Sequence, residues 1–345
     1  MRAEGVRPVI RMESLNVVGL VEVVKDIPRI YGEYRTLKEA IAQEKPDLAI
    51  LTDSPDFHLR LAPHIHAADI PLIYFIAPQV WAWRKGRVKI LHRFVDHLLC
   101  IFPFEEEFFR NNGVEATYIG HPLPRRIKPV MSREEFRKRF GASDQVPLIA
   151  LLPGSRPGEA GRHLGALAAT VERIRKDRDV VFVLGAPPGF SNRAGQNFWK
   201  RFPPGAIQVV EGETWDLLHA ADVALTASGT VTVEGALLGC PMVTYYKVTG
   251  LSWLMGKMLV RVPYYSMVNL VAGKKAVPEL MQQDMTPGKL AVETLRLLDN
   301  VSAREEMKSE LARVAEKLST GSDPMQRAVE IIESLMEKEV SAHAS

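Results

Sequence analysis

An α/β protein with two doubly wound parallel-sheet domains is the architecture this sequence predicts. Three observations carry it. Short apolar runs of strand length alternate with helix-length amphipathic stretches along almost the whole chain, as in parallel sheets covered on both faces. A length of 345 residues suits about two domains of ~150 residues each. One stretch, HPLPRRIKPV with Pro122, Pro124 and Pro129, interrupts the alternation.

The opening segment, MRAEGVRPVIRMESLNVVGLVEVV, lacks the strand and tight ligand-binding turn with which such a domain normally starts. An opening βα unit of roughly 30 residues is therefore expected to be absent. Ile30, Tyr34, Leu37 and Ile41 have helical spacing. The first buried strand is 47–52 (DLAILT), followed by strands at 71–76, 97–102 and 116–119. A helix at 105–111 stops at Asn112-Gly113. The proline-rich stretch is read as neither helix nor central strand and marks the domain boundary. Ser132 and Glu135 then form a capping box. Strands follow at 148–152, 180–184, 207–210, 223–226 and 242–245, with helices between them. Helices near 291–298, 303–318 and 324–337 close the chain. The domains read 1–122, a linker at 123–131, 132–320, and a C-terminal helix and tail at 321–345.

Composition narrows the function. At 46% apolar and 25% charged residues, the chain is not a disordered one. No apolar run approaches the ~20 residues of a membrane span, and the polar start (Arg2, Glu4, Arg7) does not read as a signal peptide. A net charge of +3 does not suit a dedicated nucleic-acid binder, so no nucleic-acid partner is expected. Basic residues do cluster, at Arg84, Lys85, Arg87, Lys89 and Arg93 and at Arg125, Arg126 and Lys128. Each cluster reads as a solvated helix face or as a site for an anion. Two cysteines, Cys100 and Cys240, in apolar runs without C-x-x-C spacing argue against a disulfide framework or a zinc ribbon and for a reducing, cytoplasmic setting. His58, His64 and His66 lack zinc-type spacing and read as structural or surface residues.

Several motifs stand at strand ends, where open α/β sheets bind ligands. Leu152-Pro153-Gly154-Ser155-Arg156 follows a buried strand. Gly154 allows close backbone approach and Arg156 offers a planar fork for phosphate. A plain strand-to-helix turn with an exposed Arg is the simpler account. Thr226 to Glu234 (TASGTVTVE) also follows a strand and opens a helix, so Ser228, Gly229 and Thr230 present free N–H groups to an anion. Glu234, one turn further on, suits ribose hydroxyls; simple capping is the alternative. The motif is neither G-x-G-x-x-G nor a Walker loop. Asp53-Ser54-Pro55-Asp56 supplies a carboxylate for general-base work. Its two acids, with Pro55 between them, read as a turn rather than one helix face, and the simpler account is turn-forming acids with Asp56 capping the next helix. In Ala77-Pro78-Gln79-Val80-Trp81-Ala82-Trp83-Arg84 the tryptophans read first as core, with Pro78, Gln79 and Arg84 as a pocket wall in the other reading. His121, ending the strand before the linker, is expected at the interdomain cleft as a phosphate ligand, an acid or base, or a turn cap. Leu251 to Arg261 reads either as a buried helix or as an interfacial one facing anionic lipid. Asn269, Glu279 and Gln282 are polar residues inside apolar text and candidate ligand contacts.

Together NVVGLVEVV, TDSPDF, APQVWAWR, IFPFE, YIGHPL, LLPGSR, ASGTVTVE, CPMV and VNLVAG…ELMQ resemble the lipid-A-disaccharide synthase family, in order from Met1 to about Gln283. APQVWAWR and LLPGSR are specific to it; ASGT…E is shared by several nucleotide-sugar enzymes. The resemblance implies a GT-B glycosyltransferase, two Rossmann-like domains facing a cleft. It implies UDP-2,3-diacylglucosamine as donor and 2,3-diacylglucosamine 1-phosphate (lipid X) as acceptor. The product is a β-1,6-linked disaccharide 1-phosphate, formed with inversion and without a metal or other cofactor. The setting is the cytoplasmic face of the Gram-negative inner membrane, held peripherally, with a homodimer among the assemblies it allows. Carried over by motif, Arg156, Ser228, Gly229 and Thr230 match the diphosphate site and Glu234 the ribose contact. Asn269, Glu279 and Gln282 match polar residues lining the same cleft, and Asp53 matches the proposed general base, with His121 next in line. Val17 to Val24 and Leu251 to Val260 would meet acyl chains. The family opens with a strand and a GExSGD-type loop that this sequence does not contain, so weak activity and lower stability are expected. A soluble UDP-sugar 2-epimerase of the same architecture and an inactive UDP-binding remnant are the competing readings.

Overall fold

The structure, a computed structural model, describes residues 5–10, 20–195, 197–250, 253, 256 and 262–343, without the side chains of 20–25 and 338–343. The chain divides into two compact units: Met1–Gly120 with Ser322–Ser345, and His121–Gly321.

In the first unit α1 (Leu20–Glu44), β1 (Ala49–Thr52), α2 (Pro55–His66), β2 (Leu72–Phe75), α3 (Val88–Phe94), β3 (His97–Cys100), α4 (Pro103–Arg110) and β4 (Ala116–Tyr118) alternate. The strands form a four-stranded sheet in the order β1-β2-β3-β4, parallel throughout. Leu72, Ile73, Tyr74, Leu98, Leu99 and Cys100 are all fully buried. Burial on both faces is why these strands read as unbroken apolar runs rather than as alternating ones.

The second unit holds α5 (Leu123–Arg126), α6 (Arg133–Phe140), β5 (Leu148–Leu152), α7 (Pro157–Asp177), β6 (Val181–Ala186), α8 (Phe190–Ala194), β7 (Gln208–Glu211), α9 (Thr214–Ala220), β8 (Val223–Ala227), α10 (Thr230–Leu237), β9 (Met242–Tyr246), α11 (Met267–Ala272), β10 (Glu279–Met281), α12 (Pro287–Asp299) and α13 (Val301–Leu318). Its six-stranded parallel sheet has the order β10-β9-β8-β5-β6-β7. The chain enters at the central β5, builds outward to β7, and returns to β8 on the other side. The order therefore reverses between β5 and β8, which is the topological switch point of a doubly wound sheet.

Local chemistry explains the element ends. Ser132 Oγ accepts the Glu135 N–H at 3.2 Å while Glu135 Oε2 accepts the Ser132 N–H at 3.0 Å, a complete capping box. Asp222 ties α6 to the sheet through Arg137 (2.7 Å), Arg133 (2.7 Å) and the Leu148 N–H (2.8 Å). One expectation needs correction. The proline-rich stretch does hold a helical turn, α5, with Pro122 at its N-cap and Pro124 in its first turn. There a proline's missing N–H costs no hydrogen bond.

The last helix, α14 (Pro324–His343), belongs to the first unit rather than standing apart as a tail. Ala328 is buried with Ile73, Leu99 and Ile119, and Ile331, Ile332 and Leu335 pack on the same cluster. Among the described residues no helix is long and apolar enough to cross a membrane. Of the apolar stretch 251–261 only Trp253 and Gly256 are described, and the side chains of 17–24 lie outside the described residues.

Candidate functional site

A cavity of about 270 Å³ opens at the carboxyl ends of β5, β6 and β8 in the second unit. Its wall includes Gly154 and Ser155 after β5, Ala186 and Pro187 after β6, and Ser228, Gly229, Thr230 and Val231 after β8. Glu159 and Glu234 place carboxylates on it. It therefore sits at the switch point, where this class of sheet leaves an open crevice. Gly229 is the N-cap of α10, and no side chain caps that helix. The Ser228 N–H, expected to face an anion, is instead spent on the Tyr245 carbonyl (2.8 Å), and the Thr232 N–H on the Gly229 carbonyl (3.0 Å). The N–H groups of Gly229, Thr230 and Val231 are the ones left for another acceptor, with the helix dipole favouring an anion.

The loop after β5 is held from behind. Tyr245 Oη donates to the Leu152 carbonyl at 3.0 Å. His163 Nδ1 donates to the Pro153 carbonyl at 2.7 Å, and its Nε2 accepts the Lys247 N–H at 3.0 Å. His163 is fully buried, and burial lowers its pKa. That keeps the ring neutral, with one nitrogen donating and the other accepting. Two loop carbonyls are thereby fixed to protein partners. Gly154 has φ +118°, a backbone conformation that side-chain-bearing residues rarely adopt, and a Cβ there would also displace the flexible Glu159 carboxyl, 2.8 Å away.

Glu234 is half-buried on the first turns of α10. Burial raises its pKa, with a hydrogen bond from Trp215 opposing the shift. Beside the cavity, burial pushes the Tyr246 phenol up to about 12, helped by the charge of Glu159 and a hydrogen bond to it. The positive charges of Arg162 and Arg156 oppose that shift. Arg156 itself is the exposed N-cap of α7, next to the cavity's Ser155 and within electrostatic reach of Tyr246.

The remaining expected residues divide. Ser228, Gly229, Thr230 and Glu234 come together on one wall. Asn269 does not reach it. Its side chain is fully buried, with Nδ2 donating to the Val277 carbonyl (2.9 Å) and Glu279 Oε1 (2.8 Å) and Oδ1 accepting the Val277 N–H (2.9 Å). Its polarity serves the α11–β10 connection and not a ligand. Glu279 also accepts the N–H groups of Tyr265 (3.1 Å) and Ser266 (2.8 Å) and the Ser266 hydroxyl (2.8 Å), anchoring the start of α11. Gln282, at φ +54°, pairs its amide with both backbone groups of Val248. It lines a second cavity, of about 310 Å³, together with Ser228, Tyr246, Val248, Trp253, Gly256, Tyr265 and Met281. His121 is buried and its Nδ1 accepts the Leu123 N–H at 3.1 Å. Burial lowers its pKa to about 4, so it is a neutral turn cap at pH 7.

In the first unit the carboxyl edge of the sheet is built differently. Asp53 and Ser54, directly after β1, have φ of +51° and +38°, Ile76 after β2 has φ +64°, and Arg84 has φ +57°. Left-handed backbone at a β-branched residue is strained and marks functional segments more often than chance. Tyr74 Oη (2.7 Å) and His58 Nδ1 (2.9 Å) both donate to the Asp53 carbonyl, fixing its backbone while the carboxylate stays exposed. Asp56 is not part of that turn: it lies in the first turn of α2 and pairs with both Arg84 and Arg87. Trp83 carries the Arg84 guanidinium 4.5 Å and the Arg87 guanidinium 5.7 Å from its ring centre. Trp81 is core instead, donating to Glu105 at 3.0 Å, and burial pushes the Glu105 carboxyl up to about 7.

Sequence reasoning missed Glu159, His163, Tyr245 and Tyr246. The signal for His163 was faint: a lone histidine on the apolar face of a helix, seven residues past Arg156.

The sequence comparisons agree on one family, and the structural ones on a shared fold. The sequence profile described as lipid-A-disaccharide synthetase matches residues 1–332. A lipid-A-disaccharide synthase of Solibacter usitatus is 54% identical over 341 residues, covering 99% of this chain and 89% of that protein. One of Myxococcus xanthus is 37% identical over 337 residues, covering 97% and 88%. Among solved structures, the fold is shared with the kitacinnamycin glycosyltransferase (TM-score 0.60, 17% identity, 96% of this chain and 87% of that one). It is shared too with UDP-GlcNAc 2-epimerase from Neisseria meningitidis bound to UDP-GlcNAc (TM-score 0.59, 12% identity, 93% and 83%).

Proposed function

Because the chain belongs to the lipid-A-disaccharide synthase family, and is thus a glycosyltransferase of lipid A biosynthesis, we propose that it transfers diacylglucosamine from UDP-2,3-diacylglucosamine to lipid X. The product is the β-1,6 disaccharide 1-phosphate, with UDP released. The observation that carries this reading is the switch-point cavity walled by Gly154-Ser155 and Ser228–Val231 with Glu234 on its face.

UDP occupies that cavity. Glu234 accepts from the ribose hydroxyls, and the N–H groups at the start of α10 meet the diphosphate, with Arg156 beside them. The Asp53 carboxylate takes the proton from the acceptor 6-hydroxyl. The resulting oxygen attacks the anomeric carbon from the side opposite UDP, the carbon–oxygen bond to the diphosphate breaks, and UDP leaves with the electron pair. Backside attack inverts the centre. Charge developing on the leaving diphosphate is met by preorganised donors, so the reaction is read as metal-independent. Acyl chains keep both substrates in a membrane, so the protein is read as peripheral to the cytoplasmic face of the inner membrane.

The test is direct. Purified protein is incubated with both acyl substrates in mixed micelles containing EDTA, and the products are read by mass spectrometry. Disaccharide 1-phosphate with stoichiometric UDP is expected. No product with or without added Mg²⁺ overturns the assignment, and product only with Mg²⁺ overturns the metal-free reading. In parallel, Glu234→Ala is expected to weaken UDP binding in calorimetry by on the order of 10-fold, one lost hydrogen-bond set to a charged group; unchanged affinity removes Glu234 from the ribose site.

A further inference from the structure

We infer that the second cavity, between the ends of β9 and β10, is the acyl-chain subsite for the donor sugar. This rests on the transferase reading above and adds to it where the lipid part of the donor goes.

The argument begins with adjacency. Ser228 lines both this cavity and the switch-point cavity. Glu234 lines only the first and Gln282 only the second. A nucleotide held with its ribose toward Glu234 therefore has its diphosphate near Ser228, and the acyl groups carried by the sugar beyond the diphosphate are directed toward the second cavity. The two cavities are two halves of one track.

The lining then selects the chemistry. Tyr246, Val248, Trp253, Tyr265 and Met281 give the second cavity aromatic and aliphatic walls. Among the described lining residues, the Ser228 hydroxyl, the Gln282 amide and the Tyr246 hydroxyl already have protein partners. Ser228 Oγ donates to the Tyr265 carbonyl at 2.9 Å, the Gln282 amide pairs with both backbone groups of Val248, and the Tyr246 hydroxyl bonds to Glu159. A nucleobase needs donors and acceptors for its edge, and a bare sugar needs them for its hydroxyls. A methylene chain needs only apolar surface to cover. Each methylene buried is worth roughly fourfold in affinity, so a chain seated here discriminates strongly between acylated and unacylated donors. Met281 is suited to such a wall, being flexible and polarizable.

The experiment measures steady-state kinetics and UDP calorimetry on Met281→Trp, which fills the cavity, and on Met281→Ala, which enlarges it. Met281→Trp is expected to raise the KM for the diacyl donor at least 10-fold. The Kd for UDP and the inhibition constant of UDP-GlcNAc, which has no long chain, are expected to stay within about twofold. Met281→Ala is expected to shift donor preference toward longer chains and keeps the proposal testable if the larger residue prevents folding. The inference falls if donor KM and chain preference are unchanged in a folded variant, or if UDP affinity falls by the same factor as donor affinity. It falls also if the acceptor's KM rises instead, because the chain housed there would then be the acceptor's. Failure of the transferase reading looks different: wild-type protein makes no disaccharide at all, and the subsite is then judged on whether acylated UDP-sugar binds more tightly than UDP-GlcNAc.

Discussion

The two sheets present their carboxyl edges in opposite ways. In the second unit the edge is cleared: Gly154 and Gly229 open the loops, and two carbonyls are fastened behind them by Tyr245 and His163. In the first unit the edge is crowded. Asp53, Ser54, Ile76 and Arg84 all hold left-handed backbone with their side chains in place. Glycine reaches that region without penalty, and other residues do not. Each edge is built for a different task. A cleared edge lets backbone donors touch a bulky anion, whereas a strained one aims particular side chains. Nucleotide binding and proton transfer call for those two solutions.

Four experiments test this contrast. The largest effect is expected for Asp53→Asn, which keeps shape but removes the base. Turnover should fall by about 10²- to 10⁴-fold while calorimetric UDP affinity stays within twofold; surviving turnover would move the base elsewhere. Next, Glu105 is a buried acid under the Trp81 loop, its pKa moved from 4.5 to about 7. The folded protein holds this proton more tightly than the unfolded chain, so stability falls as pH rises from about 4.5 to 7. The expected loss is roughly 3 kcal/mol, visible as a falling urea midpoint. Glu105→Gln should flatten that slope, and an unchanged slope would assign it to other groups. Third, Arg156→Ala should weaken UDP by on the order of 10- to 100-fold, the worth of a charge-assisted contact, with turnover at saturating donor less affected. The smallest effect is the most pointed. Ser54 makes no capping bond at the start of α2, so Ser54→Gly loses little and relieves a left-handed residue. Strain relief of about 1–2 kcal/mol, less the ~0.5–1 kcal/mol entropy cost of glycine, predicts a gain on the order of 0.5 kcal/mol by melting temperature, together with lower turnover. A variant both more stable and fully active would show the strain there to be incidental.

The central strands β2, β3, β5 and β8 were legible because both faces are buried and their sequences had to be continuously apolar. β10 was not: its three residues Glu279-Leu280-Met281 are all half-buried, without the apolar signature. The TASGTVTVE and LLPGSR motifs fell where expected because strand-then-small-residue text has few other uses. Asn269 and Glu279 show the limit of such reading. A polar residue inside apolar text announces that a buried group needs a partner, but not whether the partner is a ligand or, as here, the neighbouring backbone. Asp56, read as a turn residue beside Asp53 or a cap of the next helix, lies in the first turn of α2, and its pairing with Arg84 and Arg87 joins positions about thirty apart that no local pattern links. Likewise the capping box at Ser132 was visible in four letters, whereas the α14 packing depended on a strand-to-helix match more than two hundred residues long.

That last helix has a consequence for how the molecule comes into being. In chain terms the whole segment His121–Gly321 is an insertion within the first unit. During synthesis from the N-terminus the inserted unit has all its strands before the outer one has its closing layer, Ala328 over Ile73, Leu99 and Ile119. The nascent sheet of the first unit must therefore wait, partly uncovered, until α14 leaves the ribosome. A truncation that removes α14 would accordingly injure the first unit, more than two hundred residues earlier in the chain.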